Sequence, residues 1–125
     1  AVFLDLHNPG PGDSQPFFFV PPADHLADVA RANQARFLQF ASRRLDAPLA
    51  LAATPRETGS SYHPRWRQIS GVWASEHSSA ETVVACLETP WNTPHSTAAG
   101  YRVVGTKLGR VLTDDLRGRT DGIAR

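Results

Sequence analysis

Three short apolar runs, each stopped by proline, set the limits on what this chain can fold into. Val2-Phe3-Leu4-Asp5-Leu6-His7 runs into Asn8-Pro9-Gly10-Pro11-Gly12, Phe17-Phe18-Phe19-Val20 lies between Pro16 and Pro21-Pro22, and Thr82-Val83-Val84-Ala85-Cys86-Leu87 stops at Glu88-Thr89-Pro90. Such runs are too short for helices, and the proline and glycine that follow force the chain into loops. They predict buried strands, Phe17–Val20 being apolar on both faces, and the first two sit poorly at a free sheet edge. From about Ala23 the period changes to three-to-four spacing, with Leu26, Val29/Ala30, Phe37, Phe40/Ala41 and Leu45 on one stripe, which predicts an amphipathic helix. Leu49 to Ala53 predicts a short strand, and Thr54 to Arg67 a long polar loop of the kind that tends to carry function. A short turn through Gly71-Val72-Trp73-Ala74 precedes the strand at Thr82–Leu87, and a last helix begins near Thr97, with Tyr101, Val104, Leu108, Val111/Leu112 and Leu116 on one face, ending at Gly118. Strands alternating with helices predict a single α/β domain, a three-layer α/β/α arrangement around a parallel or mixed sheet.

Composition narrows the function classes. With 41% hydrophobic and 20% charged residues the chain is rich enough in apolar side chains for a packed core. Thirteen Lys+Arg against twelve Asp+Glu leave a net charge of +1, which gives no reason to expect a nucleic-acid partner, and no apolar run reaches the roughly 18 residues of a membrane span. Cys86 is the single cysteine, so an internal disulfide and a cysteine-based zinc cage are both excluded. The chain has no Met and opens inside an apolar run, and three or four buried strands are few for such a sheet. The expectation is a piece of a longer catalytic domain, residues 1–125 forming its C-terminal part.

Two polar residues stand at the C-terminal ends of predicted strands, His7 and Glu88, and open α/β sheets place their ligand sites at that edge. A neutral imidazole is a good zinc ligand, and Asp5, two residues earlier on the same side of the strand, is placed to fix the ring. A carboxylate following an apolar run loses hydration, which raises its pKa toward the range of a general base. The plainer alternatives are a hydrogen-bonded structural histidine at position 7 and an ion pair between Glu88 and an arginine. Pro90-Trp91-Asn92-Thr93-Pro94 would stiffen the backbone behind Glu88 and supply an aromatic wall. Cys86 reads as a small core residue, Arg65-Trp66-Arg67 as an exposed basic loop, and His63, His77 and His95 as surface histidines.

Phe3-Leu4-Asp5-Leu6-His7-Asn8-Pro9, followed some eighty positions later by Val83-Val84-Ala85-Cys86-Leu87-Glu88-Thr89-Pro90, resembles the C-terminal half of an M14-type zinc carboxypeptidase. The resemblance implies His7 as a zinc ligand and Glu88 as the catalytic carboxylate. Gln68-Ile69-Ser70-Gly71-Val72-Trp73 resembles the segment lining that family's pocket for the terminal side chain, which brings in Trp73. The family's mobile-loop tyrosine would correspond to Tyr62, since Trp66 and Arg67 occupy the expected spacing. The family's His-x-x-Glu ligand pair and its Asn-Arg carboxylate grip lie upstream of the third ligand, and neither is in this chain. His25-Leu26-Ala27-Asp28 imitates a ligand pair but follows His7, and reads as an exposed helix start. The implied activity is zinc-dependent removal of C-terminal residues from peptides. An amide deacylase of the same fold and a non-catalytic peptide-binding member are the alternatives. With one zinc ligand of the usual three, the isolated chain is expected to bind metal weakly and to hydrolyse nothing. A serine hydrolase is disfavoured, because Gly59-Ser60-Ser61 follows no strand and no Gly-x-Ser-x-Gly occurs.

Overall fold

A computed structural model describes residues 1–123, with side chains described as far as Arg119. The three proline-stopped runs form β1 (Val2–His7), β2 (Phe17–Val20) and β4 (Val83–Glu88), joined by a two-residue strand β3 (Arg56–Glu57). The sheet order is β1-β4-β2-β3. β1 runs parallel to β4, with Val2 opposite Val83 and His7 opposite Glu88, whereas β2 is antiparallel to β4 and parallel to β3. The sheet is therefore mixed.

β4 is central because it can be: five of its six residues are buried, and its β-branched Val83 and Val84 pack well on a pleated surface. β1, expected to be buried, is instead an edge strand with Phe3, Leu6 and His7 exposed. The predicted strand at Leu49–Ala53 does not form. That segment is mostly alanine and offers little side chain to a sheet, so Leu49 drops into the core while Ala52 makes a lone backbone bond to Pro16. The third neighbour of the sheet is recruited further on, at Arg56–Glu57.

The core lies on one face of the sheet. Val83, Ala85 and Leu87 of β4 and Phe18 and Val20 of β2 meet Phe37 and Ala41 of α1 (Asp28–Arg44), Leu45 just past its end, and Val104, Leu108 and Val111 of α3 (Ala98–Ile123). Phe18 and Phe37 meet edge to face at 5.7 Å, and each fully buried ring contributes roughly 2–3 kcal/mol. α1 starts at Asp28, later than its apolar period suggests, because Ala23–His25 forms a 3-10 turn after Pro21-Pro22. α3 continues past Gly118, where Arg119 pairs with Asp115 one turn back at 2.8 Å. On the opposite face α2 (Ser70–His77) packs against β1 and β4. Gly71 and Val72 of this helix are buried there, and a Cβ at Gly71 would make ordinary contact with Val84 Cγ1 at 3.6 Å. No helix among the described residues is long and apolar enough to cross a membrane.

Candidate functional site

Alternation along a strand sends Asp5 and His7 of β1 to one face, and Cys86 and Glu88 of β4 to the same face. The parallel register sets Asp5 beside Cys86 and His7 beside Glu88 at the C-terminal ends of the two strands. The loops beyond them are stitched together. Thr89 N–H donates to His7 O at 2.9 Å, Asn8 Nδ2 to Thr89 O at 2.7 Å, and Trp91 Nε1 to Pro9 O at 3.0 Å. These bonds lock the register that brings His7 and Glu88 together. They also turn Trp91 away as a fastener of the two loops, so it is not the aromatic wall its position beside Glu88 suggests.

Both residues open onto a cleft of about 300 Å³, shared with Asp5, Cys86, Tyr62, His63 and Ser70. Glu88 is only 8% exposed, and its Oε2 is buried with no hydrogen-bond partner among the described residues. Burial, against the opposing pull of His7, raises its pKa above the ordinary carboxylate value; Asp13 and Asp5 add to the rise and Arg56 counters it. Arg56 does not form the ion pair considered for Glu88. It pairs with Asp13 and lies over the Phe17 ring at 3.6 Å. His7 is well exposed, with Nε2 3.4 Å from Asp5 Oδ1, and Asp5 Oδ2 accepts the Ser70 hydroxyl at 2.8 Å. A chain of contacts from α2 through Asp5 thus reaches the imidazole.

Cys86 is not the core residue its apolar surroundings suggest. The core lies on the other face, and the thiol is half-buried on the cleft wall with Sγ 3.9 Å from Glu88 Oε1. Burial first, then the Glu88 and Asp5 carboxylates, pushes its pKa up to about 12. Sγ, a His7 ring nitrogen and a Glu88 oxygen all lie within 4.8 Å of one another.

Of the proposed substrate contacts, Tyr62 reaches the cleft, braced by Phe19 with ring centroids 4.7 Å apart. Trp66 and Arg67 line a separate depression with His25. There Glu76 takes Arg67 at 3.1 Å and His25 at 2.9 Å, and the guanidinium covers the Trp66 ring. His25 is therefore engaged by Glu76, and Asp28 by Arg31. Trp73 is exposed and stacks on His77 at 4.3 Å, because Gly71, Val72 and Ala74 take the inward side of α2. His63, read as a surface histidine, lines the cleft, as do Ile69 and Ser70 of the Gln68–Trp73 segment whose resemblance placed it at a pocket. His63 arrives with the folding back of the long loop, next to Tyr62, whereas Ser70 is brought in as the first residue of α2. Compared with protein-family models, curated proteins and solved structures, the chain matches none.

Proposed function

We propose that this chain carries the catalytic carboxylate and one metal-ligating histidine of a zinc-dependent carboxypeptidase-like hydrolase, the C-terminal part of a three-layer α/β/α domain. The observation that carries the reading is the register pairing of His7 with Glu88 at the ends of adjacent parallel strands, opening on one cleft. The imidazole suits a zinc ion: His7 is steadied through Nε2 by Asp5, which leaves Nδ1 for a metal. The remaining ligands would come from residues outside positions 1–125. Bound zinc would supply Lewis acidity toward water and an amide carbonyl.

Glu88 is suited to the proton work. Its burial holds the carboxylate in a poorly solvated state, so it gains by accepting a proton at Oε2 from water attacking the amide carbonyl. It then returns that proton to the amine nitrogen as the C–N bond breaks, giving a carboxylic acid and an amine from amide and water. Tyr62, propped by Phe19, would border the substrate's terminal residue. The substrate class is a peptide or a small N-acyl amino acid.

The test is a Glu88→Gln substitution in the polypeptide that contains the full ligand set, assayed on an N-acyl dipeptide with a free C-terminus. A loss of about 10²–10⁴ in kcat with the fold intact is expected for removal of a general base. Turnover within a few-fold of the unsubstituted protein would remove Glu88 from the mechanism.

A further inference from the structure

Several features of the cleft call for a cation. The residues lining it include Asp5 and Glu88 but no lysine or arginine, Glu88 Oε2 is buried without a partner among the described residues, and a thiol lies within 4.8 Å of both a Glu88 oxygen and an imidazole nitrogen. We infer that His7, Cys86 and Glu88 together form a binding site for a thiophilic divalent cation of the zinc and cadmium class, held by this chain alone. The inference shares His7 with the function proposed above. It adds Cys86 and Glu88 as donors, where the sequence reading provides one ligand only.

The geometry suits that class of ion. A tetrahedral zinc with bonds of about 2.0 Å to nitrogen and 2.3 Å to sulfur sets its donor atoms about 3.3–3.8 Å apart. The three donors already lie within 4.8 Å, so side-chain rotation closes the gap without moving either strand. The parallel register fixes the two backbones that carry them, and Asp5, itself bound by Ser70, steadies the imidazole. A mixed nitrogen, sulfur and oxygen set disfavours magnesium and calcium, which require oxygen donors. On binding, the S–H bond of Cys86 breaks as the S–metal bond forms, and the proton leaves to solvent. An ion held in this way also occupies Glu88 Oε2. Excess cation would therefore silence the carboxylate as a base.

The experiment is titration of the 125-residue chain with Cd²⁺ and, separately, Zn²⁺, with ultraviolet absorption and a competing chelator as readouts. One equivalent of Cd²⁺ is expected to bind with a sulfur-to-metal charge-transfer band. Cys86→Ser should abolish the band and weaken binding at least tenfold, about 1.4 kcal/mol. Glu88→Gln should keep the band and weaken binding. His7→Ala, at an exposed position that tolerates truncation, should weaken binding in the same way and guards against a misfolded Cys86 variant. Saturation without the band, or affinity unchanged in both Cys86→Ser and His7→Ala, would overturn the inference. Because the band is read on this chain without substrate, its absence leaves the hydrolase reading standing, and failed hydrolysis leaves the band.

Discussion

Glu88 is held where a charge is poorly solvated, and that has a measurable cost. Its folded pKa lies above the unfolded value, so the stability it contributes is fully present below about pH 4 and is lost as pH rises through the folded value. Glu88→Gln removes the ionisation while keeping the shape. In metal-free protein it should therefore be more stable than the parent at pH 7–8. Below pH 4, where both side chains are neutral, the difference should vanish. Urea midpoints across this pH range measure it, and a less stable Gln variant at neutral pH would contradict the account. Desolvation of Glu88 was legible from the five apolar or small residues before it, because burial of a central strand is written in its own composition. The position of Cys86 was not. An alternating strand buried on both faces looks the same whether one face meets helices or a cleft, and only the loop at Gly59–Ile69 decides which.

At the scale of elements, α3 shows where backbone approach matters and where it does not. A Cβ on Gly100 would sit 2.0 Å from the carbonyl oxygen of His95, whereas Gly105 and Gly109 face open space. Gly100→Ala should cost about 1–3 kcal/mol through displacement of the loop that leads into α3. Gly105→Ala and Gly109→Ala should each add about 0.4–1 kcal/mol by restricting the unfolded chain. Thermal unfolding of the three single variants separates the two signs. The same helix is tied to α1 by Asp115, fully buried between Arg36 at 3.2 Å and Arg119 at 2.8 Å. Asp115→Ala leaves two partly buried guanidinium groups without their carboxylate and should cost about 3 kcal/mol, read from the denaturant midpoint. The apolar stripes of α1 and α3 were legible at period 3.6, and most of their marked residues line the core. The aspartate was not, since a charged residue on a helix looks solvent-facing until the arginine of a second helix is placed opposite it.

For the molecule as a whole, the sheet's polarity was the part the sequence left open. Short connections of prolines and glycines do not say whether β2 enters beside β4 in the same or the opposite sense, and β2 proves antiparallel. The expectation that β1 would be enclosed rested on its apolar residues, and the structure turns that expectation into a liability. β1 pairs only with β4 among the described strands, Leu6 is 63% exposed, and beside it Leu87, Tyr101, Val104 and Leu108 line an apolar groove of about 250 Å³. An apolar strand with an open backbone edge is a template for pairing with another chain. The 125-residue chain should therefore self-associate as its concentration rises. Leu6→Lys places a charge on that edge at a position already mostly in water, so it should suppress association while changing stability by no more than about 0.5 kcal/mol. Sedimentation velocity over a hundredfold concentration range compares the two proteins. Equal association by the lysine variant would show that contacts form elsewhere, because a charged side chain at Leu6 cannot be carried into an apolar strand pairing without a larger cost.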